Sequence, residues 1–275
     1  LVRASDILLA DMDALLAVGK EHGIPVLEDC SHSHGACFEG RITGTLGAVG
    51  CWSLQGSKAV SAGEGGVLAT DDVEIFERAC LLGQVNRVAG IDLVGAKYEE
   101  LQPLGLGIKL RAHPLGIGLA QIQFAKLPEL NRRRREYIET IEAGLADIPG
   151  LRPVTVDARA ERGGFYGFPV IHDPDAMGKS TQDFIDAVNA KGLHATPPPY
   201  PNLHELPLFA KGFDLFTRNR GPLCPDQGYA PPQPGDYPQA ELAQRRTLFL
   251  PRLTDPTPEA PSIVLDVLRS AAGEL

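Results

Sequence analysis

The chain has 275 residues, 43% of them apolar, with 26 Lys and Arg against 35 Asp and Glu and a formal charge of −9. That length holds one large domain or two modest ones, and the acidic balance excludes general nucleic-acid binding. No apolar run is long enough to span a bilayer, and no charged-then-apolar leader opens the chain. The five cysteines (30, 37, 51, 80 and 224) form no CxxC pair, a sparse set that reads as reduced thiols in the cytoplasm.

Five prolines lie in residues 1–150 and 18 in 151–275, while glycine runs 20 against 10. The first half therefore reads as alternating compact structure and the second as shorter elements joined by stiff loops. Residues 9–22 carry Met12, Leu15, Leu16 and Gly19 at helical spacing and close on Lys20, His22 and Gly23, a positive last turn before a C-terminal glycine. Residues 24–27 are a short apolar run without alternation, which predicts a strand buried on both faces and ending on Glu28 and Asp29. A helix feeding such a strand is half of an α/β unit, where ligands gather at the carboxyl ends of strands.

Strands are predicted over 48–54 and 67–70, separated by a small-residue loop, and a helix capped by Asp71 and Asp72 runs to about Leu82. Residues 114–147 read as one long helix, weakened at Gly144 and stopped by Pro149 and Gly150. Its four arginines at 132–135 suggest an anion site taken alone. With Glu129, Glu136 and Glu139 beside them they read as a solvated helix face. A domain boundary is placed near residue 125, giving domains 1–125 and 126–275. The second is a small α+β domain with a strand at 165–171, a helix at 181–190, a loop-rich stretch at 196–238, and helices at 239–248 and 261–272. The loop carries Tyr200, Leu203, Leu206, Phe209, Phe213, Phe216 and Tyr229, so it reads as an ordered cover over a cleft.

Lys58 follows a predicted strand by four residues and sits among Ser57, Ala59, Ser61, Gly63, Gly65 and Gly66. Alone it reads as a loop lysine. Asp29 ends a strand of the same sheet, and a carboxylate there can pair with a cationic ring nitrogen while a lysine bonds an aldehyde. That combination is what pyridoxal phosphate requires of a protein. Ser53 and Ser57 offer hydroxyls for its phosphate. Cys30, His32, His34 and Cys37 are four soft ligands in eight residues, but they match no closed zinc spacing, and no metal is expected. No G-x-G-x-x-G, phosphate-loop or G-x-S-x-G pattern is present.

With these residues in place the chain resembles the DegT/DnrJ/EryC1/StrS family of sugar aminotransferases. The segments that carry the likeness are residues 24–36, 47–58 (Gly-Ala-Val-Gly-Cys-Trp-Ser-Leu-Gln-Gly-Ser-Lys), 62–66 (Ala-Gly-Glu-Gly-Gly), 117–122, 200–204 (Tyr-Pro-Asn-Leu-His) and 240–251. The resemblance implies a fold-type I pyridoxal-phosphate enzyme: a partial large α/β domain with a mixed, mainly parallel sheet, and a small C-terminal domain. It implies that Lys58 holds the cofactor and then moves the proton, that Asp29 pairs with the ring nitrogen, that His32 lies beside the ring, and that Ser53 binds the phosphate. Glu64 and His204 fall on the substrate side. Gly107 and Lys109 stand where many members have Asn and Arg, so Lys109 is expected to reach the phosphate as a point charge. Family members carry earlier strands, a phosphate-binding helix end and a ring-stacking aromatic before the point matched by residue 9. The implied reaction moves an amino group from glutamate or glutamine to a keto sugar or keto-cyclitol, with the cyclitol branch favoured by His32, His34 and the Gly-x-Lys-x-Arg-x-His-Pro form at 107–114. A cytoplasmic homodimer is implied. The alternatives are a dehydratase or aromatising synthase of the aminohydroxybenzoate type, with Lys58 arguing against the dehydratase, and a non-catalytic homologue.

Overall fold

The computed structural model describes residues 2–3, 9–83, 93, 95–103, 105–212, 214 and 217–273. In chain order its elements are β1 (Val2–Arg3), α1 (Met12–His22), β2 (Leu27–Asp29), β3 (Cys37–Phe38), β4 (Arg41–Ile42), β5 (Val49–Ser53), β6 (Gly66–Ala69), α2 (Val73–Gly83) and α3 (Pro114–Leu145). There follow β7 (Leu151–Pro153), β8 (Ala160–Glu161), β9 (Pro169–His172), α4 (Pro174–Met177), α5 (Thr181–Ala190), α6 (Pro207–Lys211), α7 (Pro238–Arg246), β10 (Thr247–Phe249) and α8 (Ala260–Ala272). The chain divides into two compact units. One takes Leu1–Tyr137, Thr155–Gly167 and Arg252–Pro256, and the other takes Ile138–Val154, Phe168–Pro251 and Thr257–Leu275.

The first unit is built on a four-stranded sheet in the order β1-β2-β5-β6. β1 and β2 are parallel, as are β2 and β5, with Leu27 opposite Val49 and Asp29 opposite Cys51. β6 returns antiparallel, setting Gly66 opposite Ser53. The parallel pairing brings the ends of β2 and β5 to one edge, so Asp29 and Ser53 share it. α1 opens on Asp11, whose carboxylate accepts the Ala14 amide, and closes on Gly23 at φ 64°, as its sequence signals predict. Met12 packs with Phe38 and Leu46 in one core cluster, and Leu54, Val60, Ala120 and Leu127 form another.

The strand predicted at 24–27 lies at Leu27–Asp29, and its burial is the reverse of the expected pattern. Ile24 and Leu27 are exposed, whereas Glu28 is 1% exposed. The buried carboxylate is satisfied by three backbone amides, those of Gly44 (2.7 Å), Leu46 (2.8 Å) and Gly47 (2.6 Å), which hold the loop before β5. Gly50 on β5 permits this loop to lie close, because a Cβ there would stand 2.1 Å from the Gly44 carbonyl oxygen. A second small sheet, β4-β3-β8, has no counterpart in the sequence prediction, each of its strands being two residues long.

The second unit has a three-stranded antiparallel sheet, β10-β9-β7, with α5 packed on β10, α7 on β9, and α8 against α5. Val170, Phe184, Val188, Leu248 and Leu268 are wholly buried in it. α5 matches its prediction and is capped by Ser180, whose hydroxyl oxygen accepts the Asp183 amide. The helix expected at 239–248 ends at Arg246, and Thr247–Phe249 pair with β9 instead, because Leu248 is needed in the core and a strand delivers it there. Within the loop-rich stretch the Tyr229 hydroxyl donates to the Phe209 carbonyl at 2.7 Å. Phe213 and Phe216 lie outside the described residues. No helix among the described residues is long and apolar enough to cross a membrane.

Candidate active site

Asp29 closes β2 at the sheet's edge, half-buried. Its carboxylate accepts the Ser31 amide at 3.0 Å and the Ser31 hydroxyl at 2.5 Å, which fixes its orientation where the chain turns away. Next along that turn, the His32 imidazole stacks on Tyr166, with ring centroids 3.8 Å apart and an interplanar angle of 16°. The Lys58 ammonium lies 4.0 Å from the centroid of the same tyrosine ring. The Ser57 hydroxyl is 3.4 Å from the tyrosine hydroxyl, and the Arg252 guanidinium stands 4.4 Å from the ring centroid while donating to the Tyr166 carbonyl at 2.7 Å. Tyr166 is thus the hub that brings His32, Ser57, Lys58 and Arg252 together.

The loop after β5 is shaped by its own polar groups. The Ser53 hydroxyl oxygen accepts the Gln55 amide at 3.3 Å, and Gln55 accepts both the amide and the hydroxyl of Ser57. The Lys58 amide donates to the Gln55 carbonyl at 2.9 Å, closing a turn that leaves the lysine side chain half-buried. Beneath it His34 is buried and donates from Nε2 to the Ser53 carbonyl at 2.9 Å. Burial pulls the His34 pKa below the ordinary histidine value. The hydrogen bond to the Ser53 carbonyl opposes that shift, and the Lys58 charge adds to it. Asn131 from α3 donates to the His34 carbonyl and accepts the Gly164 amide, which ties the segment carrying Tyr166 to the same framework. Burial pushes the Cys30 thiol up to about 11, so it is a protonated core group.

Of the other residues read from the sequence, Glu64 is exposed in the loop between β5 and β6, and Lys109 is exposed on the segment before α3. His204 belongs to the second unit. Its side chain is 12% exposed, 3.7 Å from Glu241 and 4.8 Å from the Tyr237 ring, and its Nε2 has no hydrogen-bond partner among the described residues. The cluster at Cys30, His32, His34 and Cys37 is dispersed onto separate partners.

Tyr166 and Arg252 carry no local sequence signal for this site. Tyr166 falls in the strand predicted at 165–171, although β9 begins only at Pro169. Arg252 follows Leu250-Pro251 and had no pattern to mark it. The arginine run at 132–135 divides in two. Arg132 and Arg133 pair with Glu129, Glu136 and Asp255 on an exposed face, while Arg135, half-buried, pairs with Glu161 and donates to the Arg162 carbonyl. Arg134 instead turns inward, 6% exposed, with its Nε donating to the Thr254 carbonyl at 2.9 Å.

The donor set suits pyridoxal phosphate. A carboxylate pre-oriented at a strand end, an imidazole and a primary amine on one aromatic ring, and a serine on the adjacent strand end are the groups its ring nitrogen, ring oxygen, aldehyde and phosphate call for.

Comparison with known proteins agrees with this chemistry. The model of the DegT/DnrJ/EryC1/StrS aminotransferase family matches residues 8–220. An L-glutamine:scyllo-inosose aminotransferase of Streptomyces griseus is 47% identical over 97 residues, 35% of this chain and 23% of that one. An L-glutamine:2-deoxy-scyllo-inosose aminotransferase of Streptoalloteichus tenebrarius is 31% identical over 205 residues, 74% of this chain and 48% of that one. Among solved structures, the aminotransferase TlmJ from Streptoalloteichus hindustanus superposes with a TM-score of 0.73 at 25% identity, covering 99% of this chain and 65% of that one. The chain spans about half the length of the curated relatives it matches. With the family model matching residues 8–220 and relatives at 30% identity or more along its length, the chain belongs to the DegT/DnrJ/EryC1/StrS aminotransferase family.

Proposed function

We propose that the protein is a pyridoxal-phosphate-dependent aminotransferase that moves an amino group from L-glutamine or glutamate to a keto-cyclitol or keto sugar. The observation that carries this reading is the meeting of His32 and Lys58 on the Tyr166 ring, beside the edge where Asp29 ends its strand. The names of the relatives favour glutamine as donor and an inosose as acceptor.

In this reading Asp29 takes the ring nitrogen, held in place by Ser31. His32 lies beside the ring, and Ser53 takes the phosphate. Lys109 adds a positive charge to the phosphate from its exposed segment, and Glu64 and His204 serve the substrate side. The bound cofactor supplies an electron sink that stabilises negative charge on the substrate carbon. Lys58 is the group that accepts and returns the proton at that carbon, acting as base and acid by turns. Tyr166 sets the position of the lysine amine before substrate arrives. We place the enzyme in the cytoplasm, where its five cysteines remain reduced, and we take the working form to be a homodimer.

The test is spectroscopic. Adding pyridoxal phosphate to the purified protein should give a visible absorption band that L-glutamine shifts and that Lys58→Ala abolishes. No band in the wild-type protein would overturn the reading. A band untouched by L-glutamine and by glutamate would overturn the amino-transfer step.

A further inference from the structure

Tyr166 is held in two different ways, and its backbone is the firmly wedged part. A Cβ on Gly163 would stand 2.5 Å from the Ala36 amide nitrogen, and one on Gly164 would stand 2.5 Å from the His32 carbonyl oxygen. Phe165 is 5% exposed and sits at φ 47°, a left-handed conformation that a bulky residue keeps only where its surroundings fix it. The Tyr166 carbonyl in turn accepts from Arg252 at 2.7 Å. The segment cannot carry the ring elsewhere without undoing these contacts.

The ring, by contrast, is half-buried and is engaged by mobile side chains. His32 stacks on it with centroids 3.8 Å apart, and the Lys58 ammonium and the Arg252 guanidinium stand 4.0 and 4.4 Å from its centroid. Its hydroxyl lies 3.4 Å from that of Ser57, a long contact. Stacking and cation–π contacts are each weak at a partly exposed site, so the ring is free to turn about its own side-chain bonds while its backbone stays in place. Ser57, Lys58 and Arg252 also line a cavity of about 770 Å³, with Leu119 on its α3 wall, so open volume adjoins the ring.

We propose that Tyr166 is an occluding residue: its ring stands against both the His32 imidazole and the Lys58 amine, and it turns aside to admit the cofactor. The inference rests on the aminotransferase reading for what displaces the ring. In that reading one flat ring lies beside His32 with its aldehyde at Lys58. The face of His32 that stacks on Tyr166 has no room for a second ring, because 3.8 Å is the spacing of two aromatic layers in contact. Tyr166 therefore covers the amine until the cofactor arrives. Binding then carries the cost of opening, since the apparent affinity falls with the fraction of molecules whose ring is turned out.

The test follows, by stopped flow on the full chain, the binding of pyridoxal phosphate and of pyridoxamine phosphate, which has no aldehyde for Lys58. Trp52 is the one tryptophan of the sequence and the neighbour of Ser53 on β5, and its emission is quenched as either compound binds. Tyr166→Ala should bind both compounds about tenfold faster and more tightly than the wild-type protein. Tyr166→Leu fills the half-buried position without stacking, so it should behave like Tyr166→Ala and serves where the alanine variant does not fold. Tyr166→Phe keeps the ring and should match the wild-type protein. Unchanged, slower or weaker binding in the alanine and leucine variants overturns the proposal, as does a Tyr166→Phe protein that binds as fast as they do. If neither the wild-type protein nor any variant binds either compound, the cofactor reading falls and this inference with it. Binding that is indifferent to residue 166 removes the inference alone.

Discussion

Glu28 shows how one residue organises the approach to the site. Its two carboxylate oxygens accept three amides from a single loop, two on one oxygen and one on the other. Glu28→Gln keeps the shape but turns an amide NH2 toward one of these backbone N–H groups, so a donor faces a donor. The expected cost is about 2–3 kcal/mol, read as a lower urea midpoint with an unchanged slope. His34 gives the pH dependence. Its pKa in the folded protein lies below the unfolded value, so its contribution is fully present above the ordinary histidine pKa of about 6.5 and is lost as pH falls from there through the folded pKa. His172, buried in the second unit, acts in the same sense. Urea midpoints measured at pH 7.5 and 5.5 should therefore differ less in His34→Gln than in the wild-type protein, and an equal difference would refute the assignment. In the sequence Lys58 stands out for its small-residue setting after a strand, and Asp29 for closing one. Tyr166 and Arg252 carry no such signal, since their importance comes from contacts between residues 86 to 134 positions apart, which no local spacing encodes.

At the scale of elements, period and caps fixed the helices better than the strands. α1, α3, α5 and α8 start and stop near their signals, whereas the strand before Asp29 shifts by about three residues and a predicted helix gives way to β10. A three-residue strand is set by its partner, and the partner is a tertiary fact. Gly144 in α3 illustrates the same dependence. By propensity it weakens the helix by about 1 kcal/mol relative to alanine. In the fold a Cβ there would stand 2.5 and 2.7 Å from the two methyl carbons of Leu265 on α8. Gly144→Ala is therefore expected to destabilise by about 1 kcal/mol or more through overpacking, despite the better helix. In a Leu265→Ala background the clash is gone, so the same substitution should become stabilising by about 1 kcal/mol. A double-mutant cycle by chemical denaturation checks the change of sign, and additive effects would show that Leu265 is not the obstacle.

At the scale of the whole molecule the first half of α3 stands out. Leu115, Leu119 and Ile122, spaced by four and three residues, are 80%, 50% and 59% exposed. On the opposite side of the same helix Ala120 and Leu127 are buried in the core around Leu54 and Val60. An amphipathic surface helix puts its polar face outward. This one presents apolar side chains on both sides of its amino-terminal turns, next to the wall of the cavity that Leu119 lines. Such a patch marks an association surface, and in the homodimer proposed above its occupant is a second copy of the chain. The sequence carried this pattern openly in the apolar positions of 115–124, but periodicity alone could not separate a core face from an interface face. Light scattering at micromolar concentration should accordingly report a dimer. Leu115→Glu and Ile122→Glu place a charge in the apolar contact without touching the buried Ala120–Leu127 side, so each should shift the protein toward monomer while leaving its circular dichroism unchanged. A wild-type protein that is monomeric under these conditions would remove the dimer from the proposed function, and a dimer indifferent to both substitutions would move its interface away from α3.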